Sequence, residues 1–435
     1  MQTLENSESV EKATSPKGRR FRFGLRTMMA AMLVIAVGLG PLRLIQQANR
    51  QEQSVRILEA NGFEIRYAHE FKANGDPIAD PLEPGPKWLK KLVGRHVYLT
   101  PRELYYLDQK DFYPPADFDQ RQIAQLKTLN KVDLGRYQLD DYAIVGQLEK
   151  LEYLRFRCAR SSDLSPLARC RNLQELHIVQ DQVGPKRALD LSFVAGLKKL
   201  KSIEINAWNG QSLDLAPLAE LQDLQSATLR PVENLAPLKR LTNLEKLDIA
   251  FGRFDSLSEL QGFFYLKELD VSFNKVADVT PLRNLKTLEN IDLENTNVID
   301  LSPLARLTSL RQLRLGEVNS PIHVAKGFSK PEESDATDLT PIQNLPDLKS
   351  LFLGNRKIKP GVLGEMTQLE QVSLSNGSEV DLNELRGLPH LKSLYLEAPP
   401  ANYSNVVKEI PSLEILFVDG DQVDLAENLN AGIKN

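Results

Sequence analysis

The apolar positions between Leu266 and Leu315 come in pairs. Leu269 and Val271, Ile291 and Leu293, and Leu313 and Leu315 follow one another at a step of 22 residues, each pair split by one polar residue. That alternation predicts a short strand that buries two side chains and exposes the residues beside them. Between the strands, Thr280-Pro281-Leu282 and Ser302-Pro303-Leu304 stand in one phase, with Ser165-Pro166 and Thr340-Pro341 elsewhere and alanine before Pro217 and Pro237. A hydroxyl residue placed to cap, a proline at the first helical position and leucines three apart predict one helical turn facing back to the strand. Two buried side chains hold no strand alone. A buried leucine contributes about 2 kcal/mol and an ordered residue costs a comparable amount, so only stacked neighbours make the balance favourable.

Counted by the first apolar residue of each pair, strands are expected at Val132, Leu154, Leu176, Ile203, Ala227, Leu247, Leu269, Ile291, Leu313, Leu351, Val372, Leu394 and Leu416. Most steps are 21 or 22 residues; the longer ones follow Ile178, Ile205 and Leu315, which carry five, two and sixteen extra residues. All three insertions leave the end of a strand, and the last is expected to be a projecting loop.

The order L-x-x-L-x-L, followed eight residues on by valine or leucine and a Pro-Leu pair, resembles the leucine-rich repeat family, in particular the short bacterial repeats of the internalin type. The resemblance implies an α/β solenoid: an arc with a concave parallel sheet of about thirteen short strands, serving as a binding scaffold. The family pattern places asparagine three residues past the second strand leucine, where its amide joins neighbouring backbones. Here only Asn274 is in phase, while Thr296, Arg356, Gly377 and Asp421 hold the equivalent places. Water or backbone groups are therefore expected to satisfy those turns.

In such an arc the middle residue of each strand faces the concave side. The candidate partner-binding residues are Glu204, Asp248, Asp270, Asp292, Arg314, Phe352, Tyr395 and Phe417. Three aspartates in adjacent strands repel by some tenths of a kcal/mol each, roughly, so they suggest either a solvated face with Lys246 and Arg314 as counter-charges or a cradle for a basic partner or a bridging cation. The aromatic end at Phe352, Tyr395 and Phe417 suits a binding surface or a cover by the tail from Asp419 to Asn435, where Val423 and Leu425 begin an unfinished unit.

The amino terminus follows other rules. Residues 1–24 are polar and then basic, and are expected to be a disordered cytoplasmic tail. Residues 25–45 carry the uncharged run Thr27–Leu42 behind Arg19, Arg20, Arg22 and Arg26. Sixteen residues make about 24 Å of helix, and continuation through Leu44 and Ile45 about 28 Å, enough for a thin membrane. The flanking cations place the amino end in the cytoplasm and the repeats on the outer or periplasmic side. A cleaved signal peptide and secretion form the alternative, although Ala36 and Gly38 make a poor processing site. Residues 46–118 are expected to cap the array: a helix from Gln47 to Ala60 ended by Asn61-Gly62, strands at Phe63–Tyr67 and Val97–Leu99, and a short Trp88-Leu89 helix. Tyr105, Tyr106, Phe112, Tyr113 and Phe118 are expected to pack there rather than form a ligand platform. The repeats then run through residues 119–425, with a tail at 426–435. The whole arrangement is similar to bacterial membrane-anchored leucine-rich repeat proteins.

Composition removes several classes. A net charge of −4 gives no basic surface for nucleic acid. Two cysteines build no disulfide framework; Cys170 falls in a leucine phase of the core and Cys158 at an exposed phase. The five histidines have no metal-ligand spacing. Phosphate loops, zinc-protease helices and nucleophile elbows are missing, so no enzyme and no cofactor are expected. The sequence suggests a membrane-tethered, non-catalytic interaction scaffold for a protein or glycan. A cytosolic subunit resembling the leucine-rich regulators of phosphatases is the second reading, and an unrecognised enzyme the third.

Overall fold

Every expected repeat strand forms, and each pairs with the next in the chain. The computed structural model describes residues 25–88, 90, 98–107, 118–181, 188–207, 211–316, 336–375, 380–400 and 403–425, with backbone alone for 25–41. Sixteen strands make one sheet in chain order. They are β1 (Phe63–Tyr67), β2 (Pro101–Tyr106), β3 (Lys131–Gln138), β4 (Tyr153–Cys158), β5 (Glu175–Gln180), β6 (Ser202–Ala207), β7 (Ser226–Arg230), β8 (Lys246–Asp248), β9 (Glu268–Asp270), β10 (Asn290–Asp292), β11 (Gln312–Arg314), β12 (Ser350–Gly354), β13 (Gln371–Ser375), β14 (Ser393–Glu397), β15 (Ile415–Val418) and β16 (Asp421–Val423). The thirteen expected strands are β3 to β15. The sheet is parallel from β2 to β15, but β1 and β16 run antiparallel to their neighbours.

The additions close the two ends. Asp419 and Gly420 sit at φ 52° and 89° between Val418 and its partner Asp421, the left-handed pair that a tight hairpin turn requires. Val423 and Leu425 pack on the core as the start of an unfinished unit should; residues 426–435 lie outside the described residues. At the other end the strand expected at Val97–Leu99 falls instead at β2. Pro101–Tyr106 turns Leu104 and Tyr106 inward, with Leu104 opposite Ile65 on one side and Val132 on the other. The Tyr106 ring lies 5.2 Å from Phe63, which also meets Phe118 and Tyr137 at 5.7 and 5.5 Å. Tyr106 and Phe118 are thus packing residues, while Tyr105 faces outward and donates its hydroxyl to Glu103 at 2.6 Å. Phe112 and Tyr113 lie outside the described residues.

The helical turn of each repeat is 3-10, not α. Leu304, Leu307 and Leu310 each donate their N–H to the leucine three before, at 2.9, 3.0 and 3.0 Å. Three residues per turn eclipse side chains three apart, so an L-x-x-L-x-x-L run keeps one apolar edge only in this conformation. The hydroxyl residue does not cap these turns. It opens them, and its N–H is held by a carboxylate two residues earlier: Ser302 by Asp300 at 2.8 Å, Thr280 by Asp278 at 2.8 Å and Thr340 by Asp338 at 2.9 Å. The hydroxyl of each Ser or Thr, and then its N–H, hold the Asp300 and Asp278 carboxyls below the usual range, and with Lys359 added hold that of Asp338 down at about 2. The strand and turn leucines, among them Leu293, Leu301, Leu304 and Leu313, are buried in one continuous core.

Three expectations at the strand exits change. Cys158 is buried, because β4 runs six residues and turns Leu154, Phe156 and Cys158 all inward. The asparagine phase is satisfied by side chains rather than by water or backbone. Asn274 donates to the carbonyls of Ile249, Val271 and Ser272 at 3.0, 3.0 and 3.1 Å, and Thr296 Oγ donates to Leu293 at 2.6 Å. Arg356 is buried and donates to Leu315, Val298 and Thr296. Gly377 and the inserted residues 182–187, 208–210 and 317–335 lie outside the described residues, while Asp421 belongs to β16.

The described residues fall into two units, 1–52 with 84–98 and 53–83 with 99–435. In the first, the backbone is helical from Leu25 as part of helix α1 (Leu25–Ala60), so the expected anchor and the following helix form one uninterrupted element. Helix α1 ends as the sequence predicts, with Asn61 N–H on Leu58 at 2.9 Å and Gly62 at φ 82°. Among the described residues no helix is long and apolar enough to cross a membrane. The side chains of residues 25–41 in the expected anchor, and residues 1–24, lie outside them.

Candidate interaction face

Strand alternation puts all eight candidate residues in one row. The register runs from Asp133 through Arg155, His177, Glu204 and Thr228 to Asp248. It continues through Asp270, Asp292, Arg314, Phe352, Ser373 and Tyr395 to Phe417. The apolar residues on either side of each position are buried, save Val418 beside Phe417, which is half-buried, so the row is the face of the sheet turned away from the core.

The aspartates have a local task that their spacing did not reveal. At the strand ends Asp270 accepts the Ser272 N–H at 2.9 Å and its hydroxyl at 2.6 Å, Asp292 accepts the Glu294 N–H at 2.9 Å, and Asp248 accepts the Ala250 N–H at 3.2 Å. Each carboxylate thus holds the chain where it leaves the sheet, which is a structural reason for stacking like charges. The counter-charge is Arg230, a residue the sequence reading did not select. Its guanidinium pairs with both Asp248 oxygens, Nε at 2.8 Å from Oδ1, and reaches Asp270 at 3.6 Å. Lys246 instead pairs with Glu268 at 2.8 Å, and Arg314 stands 3.9 Å from Asp292. Residue 230 lies two positions past Thr228, and so on the same face of β7; continuing the alternation to the strand end would have found it.

Asp292 receives the least compensation. Burial, then the neighbouring Asp270 charge, push its carboxyl up to about 7. Asp248 is raised for the same two reasons, against the pull of Arg230. Farther along, Glu204 lies 2.9 Å from His177 Nδ1, a contact that lowers its carboxyl. Beyond Arg314 the row turns aromatic: the Arg314 guanidinium lies over the Phe352 ring at 4.6 Å, and Tyr395 and Phe417 stack at 5.0 Å and 4°. Among the described residues no three His, Cys, Asp or Glu side chains gather as a metal site. The cation between Asp248 and Asp270 belongs to the chain itself.

Strand, 3-10 turn and leucine wedge, repeated side by side along one sheet that is parallel from β2 to β15, define a leucine-rich repeat solenoid. One solved structure agrees in fold. An internalin from Listeria monocytogenes, InlF, is 26% identical over 67% of this chain and 86% of its own, with a TM-score of 0.50. A leucine-rich repeat protein of Leptospira interrogans is 17% identical over 78% of this chain and 93% of its own, at a TM-score of 0.44. The functional domain of InlJ from Listeria monocytogenes is 17% identical over 68% of each chain, also at 0.44. No protein-family model and no curated protein matches the sequence.

Proposed function

We propose that the chain is a non-catalytic interaction scaffold that binds a polypeptide on the outer face of its sheet. The row from Asp133 to Phe417 carries this reading: a register of side chains over buried leucines, ionic along most of its length and aromatic at its end. Ionic positions steer and select, and exposed aromatics supply contact area at little conformational cost. The likeness to the internalin supports the same reading. Photo-crosslinking residues placed at Thr228 and Gln312 on this face should yield adducts with a partner in an envelope extract, and one placed at Lys239 on the turn side should not. Equal labelling from both sides would overturn it.

The scaffold is further proposed to be tethered by the run Thr27–Leu42, with the arginines ahead of it on the cytoplasmic side and the repeats across the membrane. Carbonate-washed membranes should retain the full chain and lose the Val34→Arg variant. A mature protein beginning near Leu39 would mark the segment as a cleaved leader instead.

A further inference from the structure

The aromatic part of the face is a stack with one rung missing. Phe352 has one ring face covered by the Arg314 guanidinium, 4.6 Å from the ring centroid. Tyr395 has one ring face covered by Phe417, parallel within 4° at 5.0 Å. Arg314 lies on the β11 side and Phe417 on the β15 side, so the two covered faces point away from each other. The other two look across β13, whose residue in this row is Ser373. Two strand spacings of about 4.8 Å set the walls about 9.6 Å apart, with a hydroxyl as the floor. A flat group standing there would lie about 4.8 Å from each ring, inside the range of about 6 Å for a cation over an aromatic face.

The chemistry of the walls selects the guest. Ring faces carry the negative lobe of the quadrupole, and two of them opposed favour a cation over another electron-rich ring. Among the described residues, Asp292 stands two positions beyond Phe352 in the row, its carboxyl raised first by burial and then by the Asp270 charge, and Glu397 at the end of β14 accepts the Ser375 hydroxyl at 2.9 Å, so acid groups flank the slot on both sides. A guanidinium is planar and weakly hydrated, whereas a lysine ammonium is compact and gives up water reluctantly. The chain already shows the fit, since Arg314 lies on the far face of Phe352 in the same fashion. We infer that Phe352, Ser373 and Tyr395 form a slot for an arginine side chain of the bound polypeptide. The slot rests on the reading of this face as protein-binding and adds the residue type that the partner presents.

Saturation-transfer NMR on the full chain tests it with the peptide acetyl-Gly-Arg-Gly-amide. Saturation should reach the arginine δ-methylene, and the citrulline peptide, isosteric but uncharged, should bind about 5- to 30-fold more weakly. Ser373→Leu should fill the slot and abolish the signal, and Tyr395→Leu should remove a wall and weaken it, both with the circular dichroism of the parent. Lys239→Ala, on the turn side of the array, should leave it unchanged. Equal binding of the citrulline peptide, preferential binding of a methyl glycoside, or a signal undiminished in folded Ser373→Leu would overturn the slot. Adducts from Thr228 and Gln312 that persist without peptide binding would remove the slot and leave the face; loss of those adducts would remove the face itself.

Discussion

Arg356 Nη2 lies 2.9 Å from the carbonyl oxygen of Leu315, 41 residues earlier in the chain, and the same guanidinium continues to Val298 and Thr296. It spans from β12 back to the repeats of β10 and β11, beneath the point where the longest insertion leaves the fold. Burial draws its ionisation down to about 10, so the cation is costly to hold there and the carbonyls offset that cost. Arg356→Ala leaves three buried acceptors without donors and should lower the unfolding free energy by about 3 kcal/mol or more. Arg356→Lys cannot fork to the same carbonyls and should recover only part of the loss. Urea melts of both variants check the order.

Asp292 makes stability depend on pH in a direction opposite to an ordinary ion-paired carboxylate. Its folded carboxyl titrates at about 7, above the unfolded value near 3.8, so the fold binds the proton more tightly than the unfolded chain does. The contribution is full below about 3.8 and is lost as pH rises through about 7. Asp292→Asn, whose amide oxygen still accepts the Glu294 N–H, should stabilise the protein by about 1–3 kcal/mol at pH 8 and by much less at pH 5. Thermal melts at the two pH values give the difference directly.

The turn aspartates behave the other way. The Asp300 carboxyl is held below its unfolded value by the Ser302 side chain and N–H, so its stabilisation is present above about pH 4 and is lost as pH falls through the lowered value. Asp300→Ala should cost about 1 kcal/mol at pH 7, and Asp300→Asn should keep most of that because its amide oxygen still accepts. The Asp300→Ala penalty should shrink toward pH 2, as followed by denaturant midpoints.

Both cysteines should be silent to thiol reagents in the folded protein. Burial pushes the Cys158 thiol up to about 12 and that of Cys170 to about 11, leaving almost no thiolate at pH 8. Ellman's reagent should count no thiols in the native chain and two in guanidinium.

What the sequence discloses follows from which periods are short and strict. Leu313 and Leu315 mark β11 because a period of two has no competitor, and the same alternation places Asp292, Arg314 and Phe352 in one row. Strand length is not written in that pair, so Cys158 at the end of β4 and Arg230 at the end of β7 were misplaced or passed over. Leu301, Leu304, Leu307 and Leu310 spell a period of three, but a single turn is too short to separate three from 3.6 without the hydrogen bonds. A hydroxyl at Ser302 has the residue type that usually caps a helix, but the role belongs to Asp300, two residues earlier, through a turn that closes on the backbone. Arg356 standing in for an amide has no local signature, since its acceptors come from repeats far upstream.

The reversed strands at the two ends govern how such a chain can change in length. A unit appended beyond β16 or ahead of β1 would meet a neighbour running the wrong way and could not continue the parallel ladder. Gain or loss of repeats is therefore confined to the interior, between β2 and β15, where each added unit shifts everything downstream by one strand and leaves both terminal seals intact.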